Sequence, residues 1–279
     1  MKTSNKLLIA LAALLVIIPI IVVAVNVKMN YKPSRGDDFV EEQVINAEPF
    51  DKESPGRTAI AMKTPFTSIN IPDAKRNVLQ LHFIKSAVSG IKVPTDLKDG
   101  LSFSVNTQGV LQINCSDKLK TSGYHKYGIA IVIYGPNINE LNLNNSTSLV
   151  LTAKTDSLNV NMKNSGQLSF GTPITFSTVE GKATRVINQT DIKQLNINLD
   201  SASFYSQSNS YKNLNIKSKN SSIEFSGDEK SNIENLTVNT FEKSEIRIDK
   251  VKIDKISGNL SDETTIAMPV KYLKQMLKD

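Results

Sequence analysis

Side chains able to do chemistry are few in this sequence and widely spread. His82 and His125 are its only imidazoles and Cys115 its only thiol. His82 lies in QLHFI between Leu81 and Phe83, so period-two alternation turns it away from them, while His125 lies in the loop GYHKYG. Neither has a cysteine, a second histidine or a carboxylate at a zinc-holding spacing, so no metal and no cofactor is expected. Cys115, in QINCSD, alternates with Leu111 and Ile113 and is expected inside as a structural thiol with no disulfide partner. No nucleophile elbow, phosphate loop or dinucleotide fingerprint occurs.

The one enzyme class worth weighing is glycoside cleavage, which needs two carboxyls roughly 5–9 Å apart with positioning groups around them. Asp200 with Glu224, or Asp228 with Asp249, could approach across neighbouring repeats, but no cluster of Asp, His and Arg surrounds them. The chain is therefore expected not to be an enzyme, and no catalytic residue is assigned. The candidates for surface contact are Tyr124, Tyr127, Tyr134, Tyr205 and Tyr211, because an aromatic face suits a sugar ring and a protein partner alike. Burial at a loop base is the competing reading of each.

These residues sit on a repeating frame. The phrases ELNLNN (140–145), SLNVNM (157–162), QLNINL (194–199), NLNIKS (213–218) and NLTVNT (235–240) each place two apolar residues two apart, with Asn, Lys or Thr between and after them. Each reads as a short strand with one buried face. A second strand follows in most units, as in Leu149/Leu151, Ile223/Phe225 and Ile246/Ile248. A period of about twenty residues with one inward face per strand suits stacked coils that bury their faces on one another. The expected fold is all-β, a right-handed parallel β-helix or β-solenoid with coils of about 20 residues, and a β-sandwich is the alternative. The long gap between the second and third phrases is expected to hide one further coil in Ile174–Val186.

Before the repeats, residues 65–135 carry longer and less regular strands and are expected to cap the stack, with residues 136–260 as its coils. Residues 261–279 are expected to close it with a short helix in which Val270, Leu273, Met276 and Leu277 form the apolar face. Residues 29–64, with frequent proline and charge, read as a flexible linker. Residues 1–28 read as a signal anchor, because the apolar run 7–27 is long enough for a transmembrane helix. The membrane is thus one expected partner, through residues 7–27. The expected location is the bacterial cell envelope, single-pass anchored with the C-terminal domain in the periplasm or outside the cell; secretion after signal cleavage is the alternative.

The net charge of +6 comes from 33 basic residues dispersed among 27 acidic ones, with no basic stripe or recognition helix, which excludes a nucleic-acid partner.

The order of an Ile-x-Ile strand, the Leu111-Gln112-Ile113 strand, a strand ending in Tyr134-Gly135-Pro136, and INELNLNNSTSLVL over 138–151 resembles the bacterial auto-transporter adhesin head GIN domains. The family phrase P-x-L-x-x-L/I-x-L-x-G-S/T is matched at Pro136, Ile138, Leu141, Leu143, Asn145 and Ser146. Its glycine turn survives mainly in Asn164-Ser165-Gly166, while Phe241-Glu242-Lys243-Ser244 replaces it wholly. The resemblance implies a right-handed β-helical fold in an exported or surface-associated protein and transfers no catalytic or ligand-binding residue. The function expected is a non-catalytic, membrane-tethered envelope domain acting as a scaffold or interaction surface, with an envelope protein or a glycan as partner; an adhesin-like or glycan-binding domain is the alternative.

Overall fold

A computed structural model describes residues 3–30, 49–54, 56–121, 128–170, 175–179, 182–186, 190–207, 209–227 and 231–277. It divides into two units, Met1–Phe39 and Val40–Asp279. The first holds helix α1, Thr3–Asn30, with Pro19 inside it. The continuous run of described side chains in α1, Leu11–Asn26, rises about 24 Å at about 1.5 Å per residue, short of a hydrocarbon core of about 30 Å. Among the described residues no helix is long and apolar enough to cross a membrane. The transmembrane segment expected over 7–27, the membrane partner and the single-pass envelope location built on it are corrected accordingly. Most of the expected linker, residues 31–48, lies outside the described residues.

In the second unit the strands are, in chain order, β1 (Arg57–Ala61), β2 (Ser68–Ile71), β3 (Val78–Lys85), β4 (Gly90–Pro94), β5 (Leu101–Val105) and β6 (Val110–Cys115). Then come β7 (Ile129–Gly135), β8 (Glu140–Asn144), β9 (Ser148–Lys163), β10 (Gln167–Phe170), β11 (Thr175–Val179) and β12 (Lys182–Val186). The last are β13 (Asp191–Asp200), β14 (Ser203–Gln207), β15 (Tyr211–Ser226), β16 (Asn232–Asp249), β17 (Lys252–Ser257) and β18 (Thr264–Ala267), followed by helix α2 (Val270–Met276).

Two ladders share one core. One runs β5–β6–β2–β8, then through the second half of β9, β13, the first halves of β15 and β16, and β17. The other runs β1–β4–β7–β3, then through the first half of β9, β10, β14, the second halves of β15 and β16, and β18. Because β9 and β15 pass from one ladder to the other, the path β9–β10–β14–β15–β13 returns to β9 and closes a small five-strand barrel. The remaining strands are sheets attached to it. Antiparallel pairs occur at β1–β4–β7, β5–β6 and β11–β12. This barrel with attached mixed sheets corrects the β-solenoid expectation. The sequence suggested separate short strands joined by turns, whereas β15 and β16 keep their pairing through the corner and fuse two such strands into one.

The corner is built the same way in five places. Asn145, Asn164, Ser201, Asn220 and Glu242 all have left-handed backbone, with φ of 58°, 46°, 56°, 49° and 55°. Asn tolerates this conformation best, and the chain uses it in three of the five. A small residue follows and turns inward: Ser146, Ser165, Ala202 and Ser221 are buried there. The Ser165 hydroxyl donates to Lys163 O (2.8 Å) and accepts from Ser146 N (3.1 Å); Ser221 repeats this with Lys219 O (2.6 Å) and Ala202 N (3.1 Å). Next to the corner Gly166 is required, since a Cβ there would stand 1.8 Å from Thr147 O.

Two features of the register differ from the sequence pattern. Leu141 pairs with Val160 and not with Leu158, so the first phrase is displaced by two residues relative to the others. Between β10 and β13 no further coil is inserted: β13 pairs directly with β9, Leu195 beside Leu158, and β11 and β12 form an antiparallel pair of their own.

Inside the barrel Phe170, Phe204 and Phe225 stack edge to face, with centroids 6.0 and 5.7 Å apart, and Tyr211 closes on Phe170 at 6.1 Å. At the C-terminal end α2 covers β17 by imitating a next strand. The Tyr272 hydroxyl accepts from Ile253 N (3.0 Å) and donates to Val251 O (2.9 Å), and Gln275 Oε1 accepts from Ile256 N (3.2 Å). Its buried residues are Tyr272 and Met276, while Val270 and Leu277 are 64% and 74% exposed, so the helix turns a different face inward from the expected one.

Candidate functional site

Period-two alternation puts Asn142, Asn161 and Asn198 on the outside of the first ladder, in register. Asn161 Nδ2 donates to Asn142 Oδ1 at 2.7 Å, and Asn198 Nδ2 donates to Asn161 Oδ1 at 2.5 Å. Two residues earlier a parallel column repeats the pattern: Asn196 donates to Asn159 (2.7 Å) and Asn215 to Asn196 (2.8 Å). A carboxamide has two N–H donors and two acceptor positions, so an amide inside such a column keeps one of each for another molecule. Strand spacing repeats that pair about every 4.8 Å.

Two residues after the first column, at the corner, stand Asn144, Lys163, Asp200, Lys219 and Phe241. A groove of about 420 Å³ is lined by both columns and ends on Phe241, whose ring is 53% exposed. Lys163 pairs with Asp200 at 3.9 Å and Lys219 with Glu242 at 3.0 Å. The hydrogen bond from Lys219, followed by that from Asn220, holds the Glu242 carboxyl below its ordinary range. The groove thus presents amides, balanced charge and one open aromatic face.

A smaller cavity of about 240 Å³ lies at the ends of β3, β7 and the first half of β9, near Lys85, Lys154, Asp156, Asp191 and Lys193. Lys193 neutralises Asp156 there at 2.5 Å, and its hydrogen bond lowers the Asp156 pKa. It has no exposed aromatic ring.

Residues 66–216 match the family model described as "Putative auto-transporter adhesin, head GIN domain". The chain belongs to this family. No curated protein matches it. Among solved structures it is similar to one described as a putative lipid binding protein from Parabacteroides distasonis, at 15% identity over 72% of this chain and 76% of that one, with a TM-score of 0.40. It is also similar to a putative adhesin from Bacteroides fragilis (11% identity, 76% and 95% covered, TM-score 0.37) and one from Parabacteroides merdae (14%, 76% and 94%, 0.32). In this GIN domain Lys219 and Phe241 lie beyond the residues that match the family model.

The structure does not bring the candidate tyrosines together. Tyr134 is fully buried, edge-on to Phe50 at 5.3 Å and with Lys92 Nζ 5.5 Å from its ring centre. Tyr211 is buried, bonded to Ser206 Oγ at 3.0 Å, and desolvation raises its pKa. Tyr205 is half-buried on the outside of the second ladder, between Ser169 and Glu224. Tyr124 and Tyr127 lie outside the described residues. Cys115 is buried, and burial pushes its thiol up to about 11. Asp200 and Glu224 belong to different ladders, and Asp228 lies outside the described residues. Among the described residues no group of His, Cys, Asp and Glu is placed to hold a metal ion. Phe241 was the residue to notice: it stands where the neighbouring strands carry Lys or Asp, in the segment that departs most from the family's glycine turn.

Proposed function

We propose that this protein is a non-catalytic, adhesin-like interaction domain whose groove takes a polyhydroxylated ligand, a glycan chain. Family membership supports a role in surface interaction. The observation that carries the ligand class is the pairing of the Asn142–Asn161–Asn198 column with the exposed Phe241 ring in one groove. Amides offering one donor and one acceptor each match vicinal hydroxyls, and an aromatic face stacks on the apolar C–H face of a sugar ring. Lys163, Asp200 and Lys219 favour ligands without dense charge of one sign, because the column alternates its own.

Screening on a glycan array followed by calorimetry tests this reading. Phe241→Ala should weaken the best glycan at least about tenfold, the loss of about 1.4 kcal/mol. Unchanged affinity in that variant places the ligand elsewhere, and capture of a protein with no glycan binding rejects the ligand class.

A further inference from the structure

The two ladders end differently. The edge of β17 is covered by α2, whose Tyr272 and Gln275 side chains occupy its backbone groups. The edge of β18 pairs only with β16, and among the described residues nothing pairs with its other side. In a parallel pair, half of a strand's N–H and C=O groups point away from its neighbour, so β18 offers an open row of donors and acceptors. Its sequence, Thr264-Thr265-Ile266-Ala267, has none of the charges, prolines or bulges that usually block such an edge. The core ends here as well: Ile266 continues the inward column of Ile246 yet is only half-buried, and Leu260 and Met268 are partly buried beside it.

We propose that the β18 edge binds the β18 edge of a second copy of this chain, antiparallel about a two-fold axis. Charge argues for a second copy over an unrelated strand. Asp262 and Glu263 precede β18, and Lys271 follows it. An antiparallel pair centred on Ile266 sets the acidic pair of each copy beside Val270 and Lys271 of the other, so both ends are complementary at once. An isologous contact of this kind closes at two copies and leaves no further edge. Val270, 64% exposed in the single chain, is then flanked by the second copy.

Hydrogen exchange of the full chain across a concentration series tests this. Amides of residues 264–267 should exchange at least about tenfold more slowly at high concentration, with sedimentation reporting a dimer. Association through α1 would leave these amides unchanged. In the centred register Thr265 lies opposite Ala267 of the second copy, so the double variant T265K/A267K should lose the protection, and so should T265E/A267E. Mixing the two should restore it. Circular dichroism melts like that of the parent chain confirm that both variants are folded. Exchange at 264–267 that ignores concentration overturns the proposal, as does a T265K/A267K chain that dimerises as tightly as the parent.

Discussion

The outer faces of the two ladders are built on opposite principles although they enclose one core. On the first, Asn recurs strand after strand and the side chains bond to one another along the ladder. On the second, the outward row changes at every strand, through Val150, Ser169, Tyr205, Glu224 and Arg247. Its N-terminal part is not a surface at all. Phe50 packs on Tyr134, and Lys92, 1% exposed, donates to Pro49 O (3.1 Å), Lys52 O (2.6 Å) and Ser54 Oγ (3.0 Å). The first ladder is held in register from outside as well as inside. The second depends on its inward aromatic stack and on a covering segment.

The contrast breaks most readily at the aromatic stack. Phe204, 1% exposed between Phe170 and Phe225, should cost about 3–5 kcal/mol on truncation to alanine, read by urea unfolding. A cost near that of an exposed residue would show that the second ladder does not rest on the stack.

His82 comes next. It points outward on β3 yet is buried, neither ring nitrogen has a hydrogen-bond partner among the described residues, and burial first and the Arg57 charge second lower its pKa from 6.5 to about 3. Below about pH 6.5 the unfolded chain binds a proton that the folded chain refuses until about pH 3, so this contribution is intact above pH 6.5. It is lost as pH falls through that window, by at most about 1.4 kcal/mol per unit. Melting across pH 3–7 should show the loss, and H82L should remove it without weakening the protein at pH 7. A slope that persists in H82L would assign it to other groups.

The smallest effect belongs to the first ladder. Asn161→Ala removes one bond to Asn142 and one from Asn198 at the surface, and should cost about 1 kcal/mol. A cost near zero would mean that the amide column decorates the ladder without holding its register.

Much of this frame was legible in the strand phrases. Alternation identified Leu158, Leu195, Leu214 and Leu236 as an inward set, and they lie in one register. Asn145, Asn164 and Asn220 could be read as turn residues, but Ser201 and Glu242 could not, since their types do not signal left-handed backbone. The closed path was hidden because local pattern says where a strand turns and not whether its hydrogen bonds continue through the turn. Lys92 in GIKVP looks like an ordinary solvated residue, and only the chain folded over it from residues 49–54 makes it a core one. Of the candidate site, the asparagines were visible as turn and face residues. Their meeting with Phe241 depended on register across separate strands.

The β11–β12 pair lies between two strands that nevertheless meet as immediate neighbours, with Asn161 bonded to Asn198 across 37 positions of sequence. The ladder therefore does not measure the length of chain that leaves and rejoins it at that corner. This makes residues 171–190 a natural cassette, a place where evolution or an engineer can exchange one module for another while the scaffold on either side keeps its alignment.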